Sequence, residues 1–126
     1  MEKNKITIIT VVKNSSNTIE KTIKSVLTQE YKNLEYIVID GGSTDGTFEI
    51  IQKYKENISL LLSEQDNGIW DAMNKGIKLA SGDLIGFLNS GDIYYLNALK
   101  TVNRYFLENK IDFLFGSVER YKLMYG

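Results

Sequence analysis

Five short runs of β-branched and aliphatic residues are separated by stretches in which apolar residues recur every three or four positions, and that alternation admits few architectures. Ile6 to Val12, Leu34 to Ile39, Ile58 to Leu62, Leu84 to Leu88 and Phe113-Leu114-Phe115 read as strands. Their near-continuous apolar character is that of strands buried on both faces. Ile19, Ile23, Val26 and Leu27 mark a first helix behind the cap-rich Asn14-Ser15-Ser16-Asn17-Thr18, and Phe48, Ile51 and Tyr54 a second, with Ser43 placed to cap it. A third runs from Ile69 to Ala80 with Met73, Ile77 and Ala80 on one stripe and Gly82 as its stop; Leu96, Leu99, Val102 and Phe106 mark a fourth. The pattern predicts an α/β, Rossmann-like fold: a mostly parallel sheet, helices on both faces and right-handed crossovers. Proline is absent, so Gly and Asn supply the punctuation.

A chain of 126 residues, 43% hydrophobic and 25% charged, fits one soluble domain with a real core. The net charge is -1 with no His, and the Lys residues are scattered, which argues against a nucleic-acid partner. Without Cys there is neither a disulfide framework nor a thiolate metal site, and the cytoplasm is the expected compartment. The run Ile6 to Val12 is too short and too rich in Thr for a signal peptide or a membrane span. Attachment to a membrane surface through parts outside this chain is compatible with the sequence. The fifth apolar run is followed by no closing helix, from which we expect residues 1–126 to be the first part of a longer protein.

Two apolar runs end on acids. Asp40 closes the second and is followed by Gly41-Gly42-Ser43; Asn89-Ser90-Gly91-Asp92 follows the fourth. In open α/β sheets ligands bind outside the carboxyl ends of the strands, so both acids stand where a site is expected. Each segment read alone is equally a turn. Asp92 suits a hard divalent cation, Mg²⁺ or Mn²⁺, which takes oxygen ligands and is held by one or two carboxylates plus substrate phosphates, and Asn89 could add a neutral oxygen. Asp66, in the loop before the third helix, falls on the same edge. Asp71 in that helix's first turn is accounted for by the helix dipole, and Lys75 either pairs with it at i, i+4 or neutralises a phosphate. Trp70, the only Trp, is expected in the core. Gly41 to Thr47 fits neither a dinucleotide fingerprint nor a Walker A loop.

Taken in order, Ile8 to Asn14, Ser25-Val26-Leu27-Thr28-Gln29, Ile39 to Thr47, Asp66 to Gly76, Ala80 to Asp83 and Phe87 to Asp92 resemble the nucleotide-sugar-binding half of an inverting family 2 glycosyltransferase of the GT-A fold. The resemblance implies that Thr10, Val11, Val12 and Asp40, with Asn14 and Gly41, meet the base and ribose of a UDP- or GDP-linked sugar. It further implies that Asp66, Asp71, Lys75, Asn89, Ser90 and Gly91 line the same site and that Asp92 takes the metal bridging the diphosphate. The commoner family pattern has an acid where Asn89 stands, and in many members an Arg where Met73 stands, so either Lys75 serves instead or that contact is lost. The catalytic base is expected beyond residue 126, and a glycan or lipid-linked acceptor at the inner face of the membrane is implied. Two rival readings are a sugar-phosphate nucleotidyltransferase, against which the glycine-free Thr10 to Ser15 counts, and a noncatalytic interaction module.

Overall fold

The computed structural model describes residues 4–109. It contains β1 (Ile6–Val12), α1 (Ile19–Leu27), β2 (Leu34–Asp40), α2 (Thr47–Gln52), a 3₁₀ turn (Lys55–Asn57), β3 (Leu60–Ser63), α3 (Ile69–Leu79), β4 (Leu84–Phe87) and α4 (Ala98–Glu108). All four strands are parallel, in the order β3-β2-β1-β4. The expected fifth strand at Phe113 to Phe115 lies outside the described residues.

Every residue of β1 is buried, as a continuous apolar run at the centre of a covered sheet requires. Ile6, Ile8 and Val12 face a larger core with α1, α2 and α4 through Ile19, Ile23, Val26, Ile51 and Leu99. Ile9 and Val11 face a smaller core closed by Ala72 of α3. β1-α1-β2 and β2-α2-β3 therefore step outward with their helices on one face, while β3-α3-β4 steps back across the sheet with its helix on the other. That is the arrangement crossovers of one hand demand.

α3 keeps part of the expected stripe, with Met73 and Ala80 packed partly buried against the smaller core, and departs from it at Ile77. Its buried residues are Ala72 and Gly76, whereas Ile77 is 44% and Trp70 75% exposed. A Cβ on Gly76 would stand 2.6 Å from Ile9 Cγ2. The absence of a side chain at Gly76 lets the helix sit directly on β1, and this close approach turns the larger Trp70 and Ile77 outward. Small residues, not the apolar period, decided the rotation of the helix.

Two other expectations shift for similar reasons. β3 begins at Leu60 because the 3₁₀ turn occupies the residues before it, leaving Ile58 buried just outside the strand. α4 begins at Ala98, so Leu96 precedes it and is 74% exposed, while Asn103 is buried and accepts from Asn4 Nδ2 at 3.1 Å.

At the amino-terminal edge of the sheet a polar clip fixes β4 beside β1. Glu35 accepts from Thr7 Oγ1 at 2.7 Å, Ser81 N at 2.8 Å and Ser81 Oγ at 2.8 Å, and Lys5 Nζ lies 3.7 Å away. Burial pushes its carboxyl upward, but these donors and the Lys5 charge outweigh that and hold its pKa below the ordinary value. Gly82 donates to Thr7 Oγ1 at 2.9 Å, and a Cβ there would meet the main chain at Lys5 O and Thr7 N, each 2.8 Å away. The Ser81-Gly82-Asp83 segment thus needs its glycine for the chain to lie against β1.

Candidate functional site

Because the sheet is parallel, the loops after all four strands open on one edge, and register aligns Val12, Asp40 and Ser63 across it. The strand order reverses between β1 and β4, which is where open α/β sheets bind ligands. Asp40 and the segment bearing Asp92 flank β1 on this edge, with β2 and β4 about 10 Å apart as next-but-one strands.

The side chains of Thr10, Val11 and Val12 point into the two cores and are 0%, 5% and 7% exposed. The Thr10 hydroxyl pairs with the buried Tyr36 hydroxyl at 2.8 Å. Only the end of β1 and the turn after it reach the rim. Asn14 turns there with a positive φ of 49°, a conformation open to Asn among non-glycine residues. Two reciprocal bonds hold it, Asn14 N donating to Ser43 Oγ at 2.8 Å and Thr44 N donating to Asn14 Oδ1 at 2.8 Å.

Asp40 is fully buried. Its Oδ1 accepts from Ser43 Oγ at 2.5 Å, and its Oδ2 from Ser63 Oγ at 2.8 Å and Ser43 N at 3.2 Å. Ser43 was expected to cap α2, but that helix starts at Thr47 behind Gly46, and the Thr47 amide donates to Asp45 Oδ1. A buried carboxylate needing donors claims the hydroxyl instead. Asp45 knits the same two loops together: it accepts from Thr47 Oγ1, Thr47 N and Ser16 N, and the Thr47 hydroxyl foremost holds its pKa down at about 2.

Asp66 lies beside this turn. Its Oδ1 accepts from Gly68 N at 3.0 Å, and its Oδ2 sits 2.6 Å from where a Cβ on Gly41 would stand, so Gly41 is the residue that admits it. Asp71 accepts from Asn67 N at 3.0 Å, the main cause of its lowered pKa, and pairs with Lys75 at 3.4 Å. Lys75 also contacts Glu64 at 3.0 Å, the chief cause of its raised pKa. Lys75 thus makes the ion pair expected with Asp71 at i, i+4.

On the other side of β1, Ser90 Oγ lies 3.1 Å from Thr18 Oγ1, and Thr22 Oγ1 accepts from Gly91 N at 3.0 Å and donates to Asp92 O at 2.8 Å. The Asp92 carboxylate is exposed and has no hydrogen-bond or ion-pair partner among the described residues. Three residues earlier, Asn89 Oδ1 is buried without a partner among the described residues. No group of three or more His, Cys, Asp or Glu able to hold a metal occurs among the described residues. The turn, closed by Asp92 N donating to Asn89 O at 3.1 Å, thus offers one exposed carboxylate and, three residues earlier, one buried amide oxygen. That donor set fits a hard cation that keeps several waters and completes its shell with substrate phosphates, and does not fit an all-protein cage.

Thr22, Ser43 and Ser63 escaped the sequence reading. Thr22 carried a faint signal, being a hydroxyl set within the apolar stripe of Ile19, Ile23 and Val26. Ser43 was given another role, and Ser63 had no distinguishing pattern.

The sequence profile described as glycosyl transferase family 2 matches residues 7–126. An Escherichia coli protein, the UDP-Glc:alpha-D-GlcNAc-diphosphoundecaprenol beta-1,3-glucosyltransferase WfgD, is 38% identical over 115 residues, covering 90% of this chain and 46% of its own. The S. aureus TarS 1-349 structure in complex with UDP-GlcNAc superimposes with a TM-score of 0.77 at 27% identity, over 82% of this chain and 31% of that one. The mannosyltransferase PcManGT from Pyrobaculum calidifontis, in complex with GDP-Man and Mn2+, does so with a TM-score of 0.69 at 25% identity, over 79% of this chain and 30% of that one. The chain thus spans less than half the length of these relatives. Matching profile, similar sequences and shared architecture agree: the chain belongs to glycosyl transferase family 2.

Proposed function

We propose that residues 1–126 form the donor-binding part of a GT-A glycosyltransferase, which transfers a sugar from a UDP- or GDP-linked donor to an acceptor hydroxyl with inversion. The observation that carries this reading is the turn after β4 at the β1/β4 switch point, where, among the described residues, neither the Asp92 carboxylate nor Asn89 Oδ1 has a partner. That TarS in complex with UDP-GlcNAc and PcManGT in complex with GDP-Man and Mn2+ share this fold supports reading this edge as the place of a diphosphate and its cation.

The base and ribose lie along the ends of β1 and β2, bounded by Thr10, Val11, Val12, Asn14, Asp40 and Gly41. Thr10 and Asp40 act through the main chain they fix, since their side-chain oxygens are engaged with Tyr36, Ser43 and Ser63. Asp66, Asp71 and Lys75 form the α3 side of the site, where the ion pairs of Lys75 hold the helix start in place. Asn89, Ser90 and Gly91 shape the turn that presents Asp92. Asp92 and Asn89 would hold Mg²⁺ or Mn²⁺, which when bound supplies neutralisation of charge on the departing diphosphate. An acceptor oxygen attacks the anomeric carbon in line as the bond to the diphosphate breaks, and the hydroxyl proton passes to a base that we place beyond residue 126.

Among the described residues no helix is long and apolar enough to cross a membrane. WfgD is named for a diphosphoundecaprenol acceptor, and we extend a lipid-linked or glycan acceptor, met at the cytoplasmic face of the membrane, to this protein on that likeness. Titration calorimetry with UDP and GDP, with and without Mn²⁺, tests the donor site. The expected result is binding that Mn²⁺ strengthens, with that increment lost in Asp92→Ala. Absence of binding to either nucleotide would favour the interaction module instead.

A further inference from the structure

The segment from Ser90 to Asn97 has no helix or strand of its own, yet its main-chain groups need partners. α1 provides them. Gly91 N donates to Thr22 Oγ1 at 3.0 Å, and Thr22 Oγ1 donates to Asp92 O at 2.8 Å. Tyr94 N donates to Ser25 Oγ at 3.1 Å. Gln29 Nε2 donates to Tyr95 O at 2.8 Å, and Leu99 N at the start of α4 donates to Gln29 Oε1 at 3.2 Å. Above them the Thr18 and Ser90 hydroxyls meet at 3.1 Å.

Thr18, Thr22, Ser25 and Gln29 follow one another at i, i+4, i+7 and i+11, so they form a single polar stripe along α1 and its continuation. Thr22 is fully buried and Gln29 is 8% exposed, so both sit away from competing water. A hydroxyl has one proton and two lone pairs. The proton of Thr22 is directed to Asp92 O, since its alternative acceptor, Thr18 O, is farther away at 3.4 Å. A lone pair remains for Gly91 N. One side chain thus grips the main chain on both sides of the Gly91–Asp92 peptide.

We infer that this stripe is a positioning ladder: α1 holds the segment from Ser90 to Leu99 through side chains, and Thr22 fixes where the Asp92 carboxylate stands. The inference rests on the donor-site reading only for what Asp92 does; the ladder itself concerns the main chain. Thr22 touches no ligand in this account and is a positioning residue, as are Ser25 and Gln29.

The test substitutes Thr22→Val, which replaces the hydroxyl by a methyl, and Thr22→Ser, which restores it. Amide hydrogen exchange is read on the chain without ligand. In Thr22→Val we expect the Gly91 amide to exchange roughly tenfold faster, as loss of one buried hydrogen bond implies, while amides of β1 and β2 keep their protection; Thr22→Ser restores the slow rate. Unchanged exchange at Gly91, or equal acceleration at Gly91 and in β1, overturns the ladder. A second readout is Mn²⁺-dependent UDP binding. Thr22→Val is expected to lower the Mn²⁺ increment roughly tenfold while leaving metal-free UDP affinity as it is; equal loss in both overturns the link from Thr22 to Asp92. If the unaltered chain shows no Mn²⁺ increment, the donor-site reading fails and the exchange result still decides the ladder. Should Thr22→Val not fold, Gln29→Met, which removes the Oε1 that accepts from Leu99 N, takes its place, with exchange read at the Leu99 and Tyr94 amides. Faster exchange at Leu99 alone supports the ladder, and no change there overturns it.

Discussion

Replacing Asp40 by Asn changes one oxygen to an amide nitrogen in a fully buried position, and the structure indicates what that does. The carboxylate accepts three bonds, two from Ser43 and one from Ser63. The amide keeps one acceptor oxygen, which suits the Oδ2 side and its two donors. On the Oδ1 side it presents N–H to the Ser43 hydroxyl, which already accepts from Asn14 N, so the hydroxyl proton loses its acceptor. Bonds to a charged group contribute about 1.5–3 kcal/mol each and neutral ones about 0.5–1.5 kcal/mol, so one loss and two weakenings come to about 3 kcal/mol. Relief from burying a charge offsets part of that. A net destabilisation of about 1–2 kcal/mol remains, or a fall in Tm of about 4–8 °C for a domain of this size. Thermal unfolding followed by circular dichroism on Asp40→Asn, with Ser63→Ala as a single-bond comparison expected to lose about 1 kcal/mol, measures it. A Tm that is unchanged or raised in Asp40→Asn would mean that the cost of burying the charge exceeds what its donors return, and the account of Asp40 as an internal clamp would be wrong.

Glu35 carries a pH dependence of definite sign. Its folded pKa is depressed below 4.5, so its contribution is fully present above that value and is lost as pH falls through the folded pKa; the Tm of the unaltered chain should fall more steeply below about pH 4.5 than that of Glu35→Gln, and parallel curves would refute the clip. Gly76→Ala sets two effects against each other, a helix-propensity gain of about 1 kcal/mol against overpacking of about 1–3 kcal/mol where the new methyl meets the stiff, fully buried Ile9. Net destabilisation of about 1 kcal/mol in urea unfolding is expected, whereas a stabilised variant would show that α3 can lift off β1 without loss.

Asp40 and Asp92 were recognisable as candidates because each closes or follows a run of apolar residues, and a parallel sheet sends every such ending to the same rim. Nothing in the residues said that one would be enclosed and the other free. Asp40 is taken up by Ser43, three residues on in the turn, and by Ser63, which meets it only because β2 and β3 are in register. Trp70 was misplaced for a related reason: an apolar period reports how much surface a helix hides but not how closely it approaches, and the missing side chain at Gly76 set the approach.

By itself the sequence determined the alternation of strands and helices, the parallel sheet and the edge on which chemistry would gather, because these follow from local periodicity and from the hand of the crossovers. Only the tertiary structure decided which polar groups are consumed inside the protein and which, among the described residues, stay unpaired. That depends on contacts between residues tens of positions apart, such as Thr22 with Asp92 and Glu35 with Ser81, and local patterning carries no record of them.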